Sequence, residues 1–395
     1  MSRWQELEKE YFMRTVERLP VTLVRGKGAR VWDEDGREYL DFVAGWAVNS
    51  LGHCHPATAE AVTEQAHTLI QVSNQFYSIP QVQLAELLVQ NSCLDKVFLC
   101  NSGAEANEGA VKLARRYGKH HLNGAYEVIT TTGSFHGRTL GMVAATGQPK
   151  FQEPYVPLPS GFANVEYNSI EAIKAATTPQ TCAVMLEPLQ GEGGVNLPDD
   201  DYLAAVRTWC DQTGILLILD EIQTGIGRTG TLFAYEQYGV EPDIMTLAKG
   251  LASGLPIGAI LAKDGASVFT PGEHGSTFGG NPVTCAASYA TVKFVIDNDI
   301  PGNAGRVGEY LMAKLKDLSQ KHQGVTDVRG RGLLVAIEFS RDIAQALVIA
   351  CLERGLLVNK LKPNALRFMP PLTIGNEEVD EALGILDEAL SSINE

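Results

Sequence analysis

The chain has 395 residues, of which 45% are hydrophobic and 20% are charged, as in an ordinary globular protein. This length predicts about two or three domains, and the composition excludes a disordered, collagen-like or coiled-coil chain. The net charge of −15 argues against non-specific binding to nucleic acid or to an anionic membrane. The 39 glycines exceed the usual share of ~7%, which indicates sharp turns or close approach of the backbone to a ligand.

Sequence features that report on the cellular compartment point to a cytoplasmic protein. Residues 1–20 are rich in charge and contain no apolar core of a secretion signal. The longest aliphatic run, residues 215–219, is far shorter than the ~18 residues of a membrane span. The seven cysteines include no CxxC pair and are typical of reduced thiols.

Taken in chain order, the predicted elements indicate an α/β protein with two domains. Residues 1–55 contain a hairpin pattern around Asp35-Gly36 and are predicted to pack on the C-terminal region. Residues 56–285 alternate short β-rich runs with helical stretches, which predicts a parallel sheet. The predicted strands are Val97–Cys100, Glu127–Thr131, Cys182–Glu187, Ile215–Leu219, Ile244–Ala248 and Ile257–Ala262, and the helices include Gln81–Gln90, Ala104–Tyr117 and Asp200–Thr213. Residues 286–395 begin with long helical patterns and contain the strand Leu333–Phe339, which predicts a second, α+β domain.

Ligands of parallel α/β sheets bind at the carboxyl ends of the strands, so the residues that follow each strand are candidate site residues. Ser102 is suited to cap the helix after the first strand, and Gly103 allows backbone N–H groups to approach a phosphate. The alternative is an ordinary capped turn. In the next loop, Phe135 is suited to stack on a flat ring and Arg138 to bind a carboxylate. The alternative there is a core phenylalanine with a surface arginine.

The next strand ends carry acids and a lysine. Glu187 and Glu192 lie in a glycine-rich loop, which fits a metal site or a charge switch, although no histidine is nearby. Asp220 follows a strand that is apolar on both faces, and a buried carboxylate needs a cation. Lys249 follows the next strand and is either a nucleophile with a lowered pKa or a structural partner of Asp220. Together these groups fit one cofactor, pyridoxal phosphate.

Other motifs are weaker. The pattern GIGRTG at residues 225–230 matches a dinucleotide fingerprint, but five residues separate it from the preceding strand. His53-Cys54-His55 has no further spaced ligands, so no metal site is predicted. The chain lacks a P-loop motif and a serine-hydrolase elbow.

The motifs NSGAEANEGAVKLAR, FHGRTLG, EPLQGEGG, DEIQTGIGRTG, LAKGLASGLPIG and HGSTFGGNP occur in this order. On these motifs the chain resembles the class III (subgroup II) pyridoxal-phosphate aminotransferases over nearly its whole length. The resemblance implies fold type I, with a mostly parallel seven-stranded sheet in a large domain of residues 56–285. It also implies a small domain built from residues 1–55 and 286–395, and a homodimer with shared active sites.

The resemblance further implies roles for individual residues. Lys249 bonds to the cofactor and moves the substrate proton, and Asp220 pairs with the pyridine nitrogen. The other implied cofactor contacts are Ser102, Gly103, Ala104, Phe135, Glu221, Ile222, Gln223 and, from the partner subunit, Thr277. The implied substrate contacts are Arg138, Ser276 and Arg367, with Glu192 masking Arg367 when an ω-amino group must enter first.

Further motifs, among them GWAVNSLGHCHP and RFMPPLTI, narrow the implied reaction. It is transfer of the δ-amino group of N2-acetyl-L-ornithine to 2-oxoglutarate, a step of arginine biosynthesis. Other donors remain open: ornithine, succinylornithine, succinyl-diaminopimelate, 4-aminobutyrate or a carrier-linked lysine precursor. An aminomutase and a non-catalytic relative are further alternatives. Trp46 stands where the resemblance leads us to expect isoleucine, and Trp46 and Val48 are candidates for lining the acyl pocket.

Overall fold

A computed structural model describes residues 2–394 of the chain. The N-terminal region contains α1 (Arg3–Tyr11), β1 (Leu23–Lys27), β2 (Arg30–Asp33), β3 (Glu38–Asp41) and α2 (Ala44–Ala47). The strands β1, β2 and β3 form an antiparallel meander. The predicted hairpin is present, because the Asp33 carboxylate accepts hydrogen bonds from the amides of Asp35 and Arg37 and closes the turn.

The middle of the chain builds the large sheet. Its elements are α3 (Pro56–Thr68), α4 (Ile79–Gln90), β4 (Lys96–Cys100), α5 (Gly103–His121), β5 (Glu127–Thr131), α6 (Leu140–Ala145), α7 (Pro149–Gln152), β6 (Phe162–Val165), α8 (Ile170–Ala176), β7 (Thr181–Leu186), α9 (Tyr202–Thr213), β8 (Leu216–Asp220), β9 (Ile244–Leu247) and β10 (Gly258–Ala262). The strand order is β4-β10-β9-β8-β7-β5-β6. The predicted seven-stranded, mostly parallel sheet is confirmed.

Two features of this sheet differ from the sequence prediction. The strand β10 runs antiparallel to both neighbours, β4 and β9. The strand β6 was not predicted, because its short sequence FANV is only partly buried at the sheet edge. The central strand β8 is buried over its whole length, as its apolar character on both faces predicts.

The C-terminal region contains α10 (Pro282–Asp297), α11 (Ile300–Lys321), β11 (Val325–Arg331), β12 (Leu334–Phe339), α12 (Ala344–Glu353), β13 (Leu356–Leu357), β14 (Asn359–Lys362), β15 (Ala365–Phe368) and α13 (Asn376–Asn394). A second sheet has the order β11-β12-β15-β14. The short strand β13 pairs with β3 of the N-terminal meander, with Leu356 opposite Leu40.

The pairing of β13 with β3 supports the division into domains that we propose, with one small domain assembled from both ends of the chain. The predicted boundary at residue 286 falls inside α10, however, and α10 packs against α3 and α4. We therefore place the boundary after α10, since a helix buried against the large domain belongs to that domain's core. Among the described residues, no helix is both long and apolar enough to cross a bilayer.

Candidate active site

A cavity of about 430 Å³ opens at the carboxyl ends of β8 and β9. It is lined by residues from six separate chain segments, five of which follow strands of the large sheet. The predicted site residues among them are Ser102, Gly103, Ala104, Phe135, Arg138, Glu192, Asp220, Ile222, Gln223 and Lys249. Position at one sheet edge therefore unites groups that lie far apart in the sequence.

Asp220, the last residue of β8, is held by donors on three sides. Its Oδ2 accepts hydrogen bonds from Asn107 Nδ2 at 2.7 Å and from His136 Nδ1 at 2.8 Å. Its Oδ1 accepts from the Ile222 amide at 3.0 Å. Asn107 is oriented in turn by the Thr246 hydroxyl, 2.7 Å from Asn107 Oδ1. The ion-pair partner of Asp220 is His136 and not Lys249, so the structural Lys249–Asp220 pair is absent.

The N-terminus of α5 forms one wall of the cavity. Ser102 caps this 19-residue helix, and its hydroxyl accepts a hydrogen bond from the Glu105 amide at 3.2 Å. The first amides of a helix have no intrahelical acceptor and attract anions. A Cβ at Gly103 would lie 2.8 Å from the Ile222 side chain, so glycine is needed for Ile222 to reach the cavity. This wall is therefore suited to hold a phosphate.

Lys249 also lines the cavity, just after β9. Its backbone has a φ of +40°, in the left-handed region that non-glycine residues rarely adopt, and such strain concentrates at functional sites. Burial of the side chain, together with the positive charge of Arg367, lowers the pKa of Lys249 to about 8. A larger fraction of this amine is therefore neutral at physiological pH than in an exposed lysine.

Two aromatic rings support the mouth of the cavity. Phe135 packs edge-to-face on Phe151, with ring centroids 5.7 Å apart. The Arg138 guanidinium lies 3.9 Å from the Phe151 ring centroid and 5.4 Å from that of Phe135. Arg138 is exposed and lines the cavity, so the loop presents a cation to an entering carboxylate.

Arg367 on β15 is fully buried and lies directly behind Glu192, which lines the cavity. Its Nη2 donates to Glu192 Oε2 at 2.8 Å, and its Nη1 donates to the Gly191 carbonyl at 2.9 Å. Burial raises the pKa of Glu192, but the charge of Arg367 outweighs burial and holds that pKa below its ordinary value. Arg367 is therefore a second candidate site for a substrate carboxylate, and the Glu192 carboxylate covers it.

The cofactor contact that the resemblance implied for Glu221 requires a correction. Its side chain points away from the cavity and accepts hydrogen bonds from the Ala234 amide, the Tyr235 amide and the Thr224 hydroxyl. Burial raises the pKa of Glu221 to about 7. The residue fixes the loop that follows β8 and does not contact a ligand in this cavity, because adjacent side chains on an extended segment point to opposite sides.

Ser276 and Thr277 lie outside this cavity. The Ser276 hydroxyl accepts a hydrogen bond from Asn101 Nδ2 at 3.0 Å, whereas Thr277 is exposed at the surface. Val48 lines the cavity, and Trp46 next to it is 54% exposed. The structure therefore brings Val48 to the site, while Trp46 and Thr277 face away from this chain's own cavity.

Sequence reasoning did not assign a role to Asn107, although a polar residue on an apolar helix face is a signal that the sequence contains. Asn107 lies one helical turn after Gly103, on the face of α5 that carries the buried Ala106 and Ala110. A fully buried amide on an apolar helix face must have partners, and those partners are Asp220, Thr246 and the His136 carbonyl. His53 Nε2 lies 2.7 Å from Asp41 Oδ2, and no group of three or more potential metal-ligating side chains is found among residues 2–394.

Comparison with known proteins identifies the family. A sequence model of the family "Aminotransferase class-III" matches residues 11–390. An acetylornithine aminotransferase from Caldanaerobacter subterraneus subsp. tengcongensis is 52% identical, over 98% of both chains. One from Methanocaldococcus jannaschii is 49% identical, over 99% of this chain and 98% of its own.

Solved structures agree with this result. The N-acetylornithine aminotransferase of Stenotrophomonas maltophilia K279a has a TM-score of 0.85 at 39% identity, covering 98% of both chains. The ornithine aminotransferase of Toxoplasma gondii ME49 has a TM-score of 0.95 at 34% identity, covering 99% of this chain and 95% of its own.

Proposed function

The chain belongs to the class-III aminotransferase family, and from this we propose that it transfers the δ-amino group of N2-acetyl-L-ornithine to 2-oxoglutarate. The products are N-acetyl-L-glutamate 5-semialdehyde and L-glutamate. The observation that carries the proposal is the Glu192–Arg367 pair in the same cavity as Lys249. Such a pair suits an enzyme with two kinds of substrate. In one half-reaction the uncovered arginine binds a carboxylate of a dicarboxylate, and in the other the covered arginine leaves room for a donor that enters with its terminal amino group first. We place this reaction in arginine biosynthesis in the cytoplasm.

Pyridoxal phosphate is the cofactor of this family, and the residues of the cavity fit it. When bound, it supplies an electron-accepting ring that delocalises the negative charge left when the substrate carbon loses a proton. Ser102 and the first amides of α5 would hold the phosphate, and Phe135 and Ile222 would pack on the ring. Gln223 lines the same wall.

Asp220 would hold the proton on the pyridine nitrogen. A carboxylate facing a protonated nitrogen in a buried site raises the nitrogen's pKa. Asn107 and His136 donate to this carboxylate and keep it correctly oriented. His136 holds this carboxylate directly through Nδ1, and its backbone carbonyl accepts a hydrogen bond from Asn107.

Lys249 would take the proton from the substrate carbon that carries the amino group and would later donate a proton to carbon, so it would act first as the base and then as the acid. A base for this step must be neutral at the working pH, which the lowered pKa of about 8 favours. Its location opposite Asp220 places the base and the ring-nitrogen partner in one cavity.

The same lowered pKa predicts a pH dependence of cofactor uptake. The neutral amine of Lys249 is the form that bonds to the cofactor, so the rate of covalent capture of pyridoxal phosphate by the apoprotein should follow its deprotonation. We expect the rate to rise about tenfold per pH unit below pH 8 and to level off above it. Stopped-flow absorbance checks this, and a rate that keeps rising toward pH 10.5, the ordinary lysine value, would contradict it.

The two arginines would divide the work on the substrates. 2-Oxoglutarate has two carboxylates, and the two candidate arginines are Arg138, which lines the cavity, and Arg367, which pairs with the lining residue Glu192. N2-Acetyl-L-ornithine has one carboxylate, which would bind Arg138 while Glu192 covers Arg367. Covering Arg367 prevents the donor from binding with its α-carboxylate inward.

The donor is tested by comparing kcat/KM for a panel of amines with 2-oxoglutarate as acceptor. The panel contains N2-acetyl-L-ornithine, L-ornithine, N2-succinyl-L-ornithine, N-succinyl-diaminopimelate, 4-aminobutyrate and a carrier-linked lysine precursor. We expect N2-acetyl-L-ornithine to give the highest value. Equal or better use of free ornithine would overturn this choice of donor while leaving the reaction class intact.

We also propose that the active unit is a homodimer. An apolar patch surrounds the exposed Thr277 loop; it consists of Ile70, Phe76, Tyr77, Ile79, Val82 and Phe278, all at least half exposed. Large exposed apolar patches mark interaction sites. Gln71 and Asn74 donate hydrogen bonds to the backbone of the Thr277 loop, so patch and loop form one unit. A second copy covering the patch would place Thr277 at its partner's phosphate site.

The dimer is tested with the double variant Tyr77→Glu/Ile79→Glu. We expect the wild-type protein to sediment as a dimer and the variant as a monomer with weaker pyridoxal phosphate binding, because two buried charges oppose association. Tyr126→Glu, at the opposite end of the sheet, is the control and should remain dimeric. A fully active wild-type monomer would contradict the proposal.

A further inference from the structure

The loop that carries Glu192, residues 190–196, is closed at its base. The amide of Gln190 donates to the Asn196 carbonyl and the amide of Asn196 donates to the Gln190 carbonyl, both at 3.0 Å. A third bond joins Asn196 Nδ2 to Gln190 Oε1 at 2.8 Å. The base is therefore rigid, and Glu192 lies on the five-residue tip between the two ends.

The first half of the tip is fixed from the site itself. The Gly191 amide donates to Glu187 Oε2 at 3.1 Å, and the Gly191 carbonyl accepts from Arg367 Nη1 at 2.9 Å. Glu187 Oε1 also accepts from the Phe135 amide at 2.9 Å, which ties this half of the tip to the neighbouring loop.

The second half of the tip is held by an arginine of the small-domain sheet. Arg329 on β11 donates to the Gly194 carbonyl from Nε at 3.0 Å and from Nη2 at 2.8 Å. Its Nη1 pairs with Asp327 and, at 2.8 Å, with Glu338. The acids fix the guanidinium plane, and hydrogen bonds from a charged donor are about twice as strong as neutral ones.

This half of the tip has a conformation that needs such support. Val195 is fully buried and has a φ of +54°, which is a genuine outlier for a β-branched residue. Backbone strain of this kind persists only when the surrounding structure holds it. The contact of Arg329 with Gly194 comes immediately before the strained residue.

Arg367, by contrast, does not depend on Glu192 for its position. Asn359 Oδ1 accepts from both Nε and Nη2 of Arg367, at 3.1 and 2.9 Å. Gly191 and Gln223 accept from Nη1. The guanidinium is thus fixed, and whether it is covered depends on where the loop places Glu192.

We propose that Arg329 is a positioning residue that sets the balance between covered and uncovered Arg367. By holding Gly194 it keeps Glu192 over the guanidinium, which favours the amine-first donor over glutamate. The inference deepens the proposed function and rests on it. It makes a residue outside the cavity a determinant of substrate discrimination.

The test uses Arg329→Gln holoenzyme, with each half-reaction followed separately by cofactor absorbance. We expect the ratio of kcat/KM for N2-acetyl-L-ornithine to kcat/KM for L-glutamate to fall about tenfold, since one charged anchor is lost. Hydrogen exchange at residues 191–196 should accelerate in the apoprotein as well. Arg331→Gln is the matched control, because Arg331 lies on the same strand but bonds to Gln237, away from the loop.

Arg329→Lys keeps the charge and should show a smaller change in the ratio, and it replaces Arg329→Gln if that variant does not fold. An unchanged ratio, or an equal loss on both substrates, would overturn the inference, because a merely structural role lowers both alike. A wild-type protein that does not use N2-acetyl-L-ornithine would instead refute the proposed function.

Discussion

Replacement of Lys249 by alanine is expected to lower kcat by about 10³-fold or more, because the variant loses the group that moves the substrate proton. Alanine keeps a Cβ at a position whose φ is +40°, so the substitution removes the amine without relaxing the backbone. Steady-state kinetics with N2-acetyl-L-ornithine and 2-oxoglutarate measures the loss. The purified variant should also lack the absorbance of covalently bound cofactor.

Lys263→Ala is the control for this substitution. Lys263 pairs with Glu241 at 2.9 Å near the surface, and such pairs contribute little to stability. We expect kcat of this variant to stay close to the wild-type value. Transamination by Lys249→Ala at the wild-type rate would refute the mechanism.

Asp220→Asn is expected to lower kcat by about 10²–10³-fold, because the preserved shape no longer carries the charge that holds the ring nitrogen protonated. The neighbouring variant Glu221→Gln provides a matched comparison. Glu221 accepts three hydrogen bonds outside the cavity, so an amide would face donors with its own N–H groups. We expect Glu221→Gln to lower Tm while leaving kcat close to wild type.

The two variants thus separate catalysis from folding. Asp220 also accepts three hydrogen bonds, from Asn107, His136 and the Ile222 amide, so both variants should lower the Tm of the apoprotein, whereas only Asp220→Asn should lower kcat. The assignment of Asp220 would be wrong if Asp220→Asn kept full activity, and the correction to Glu221 would be wrong if Glu221→Gln lost activity without loss of stability.

The parallel sheet and the position of the candidate site at its edge could be predicted because both depend on local signals. Asp220 and Lys249 each follow an apolar strand, and strands of this type end at one edge. The N-cap Ser102 and the glycine after it also mark a helix start in the sequence. Strand direction is a different kind of property. The reversal of β10 depends on which neighbours it pairs with, which periodicity does not report.

Side-chain direction limited the prediction of the site. Asp220 and Glu221 are adjacent acids at a strand end, and the sequence does not tell which one faces the cavity. The structure shows that the loop through residues 234–235 supplies amides to Glu221, a contact between residues that are distant in sequence. Arg329 was missed for the same reason, since its partner Gly194 lies 135 residues away in the sequence.

The predicted domain boundary at residue 286 falls inside α10 because the sequence does not show which element covers a helix. The helical pattern after residue 285 resembles the start of a new region, but the helix packs on α3 and α4, and its Thr291 hydroxyl lies 3.0 Å from the hydroxyl of Thr58 on α3. A pattern in the sequence shows that a helix has a buried face and does not show which partner covers it.

The most direct test of the proposed function follows one nitrogen atom. N2-Acetyl-L-ornithine labelled with ¹⁵N at the δ position is incubated with the holoenzyme and unlabelled 2-oxoglutarate, and the products are analysed by mass spectrometry. The proposed function predicts L-glutamate that carries the label, together with N-acetyl-L-glutamate 5-semialdehyde. Label that stays within the donor, or turnover that proceeds without 2-oxoglutarate, would contradict it and would indicate an intramolecular amino shift.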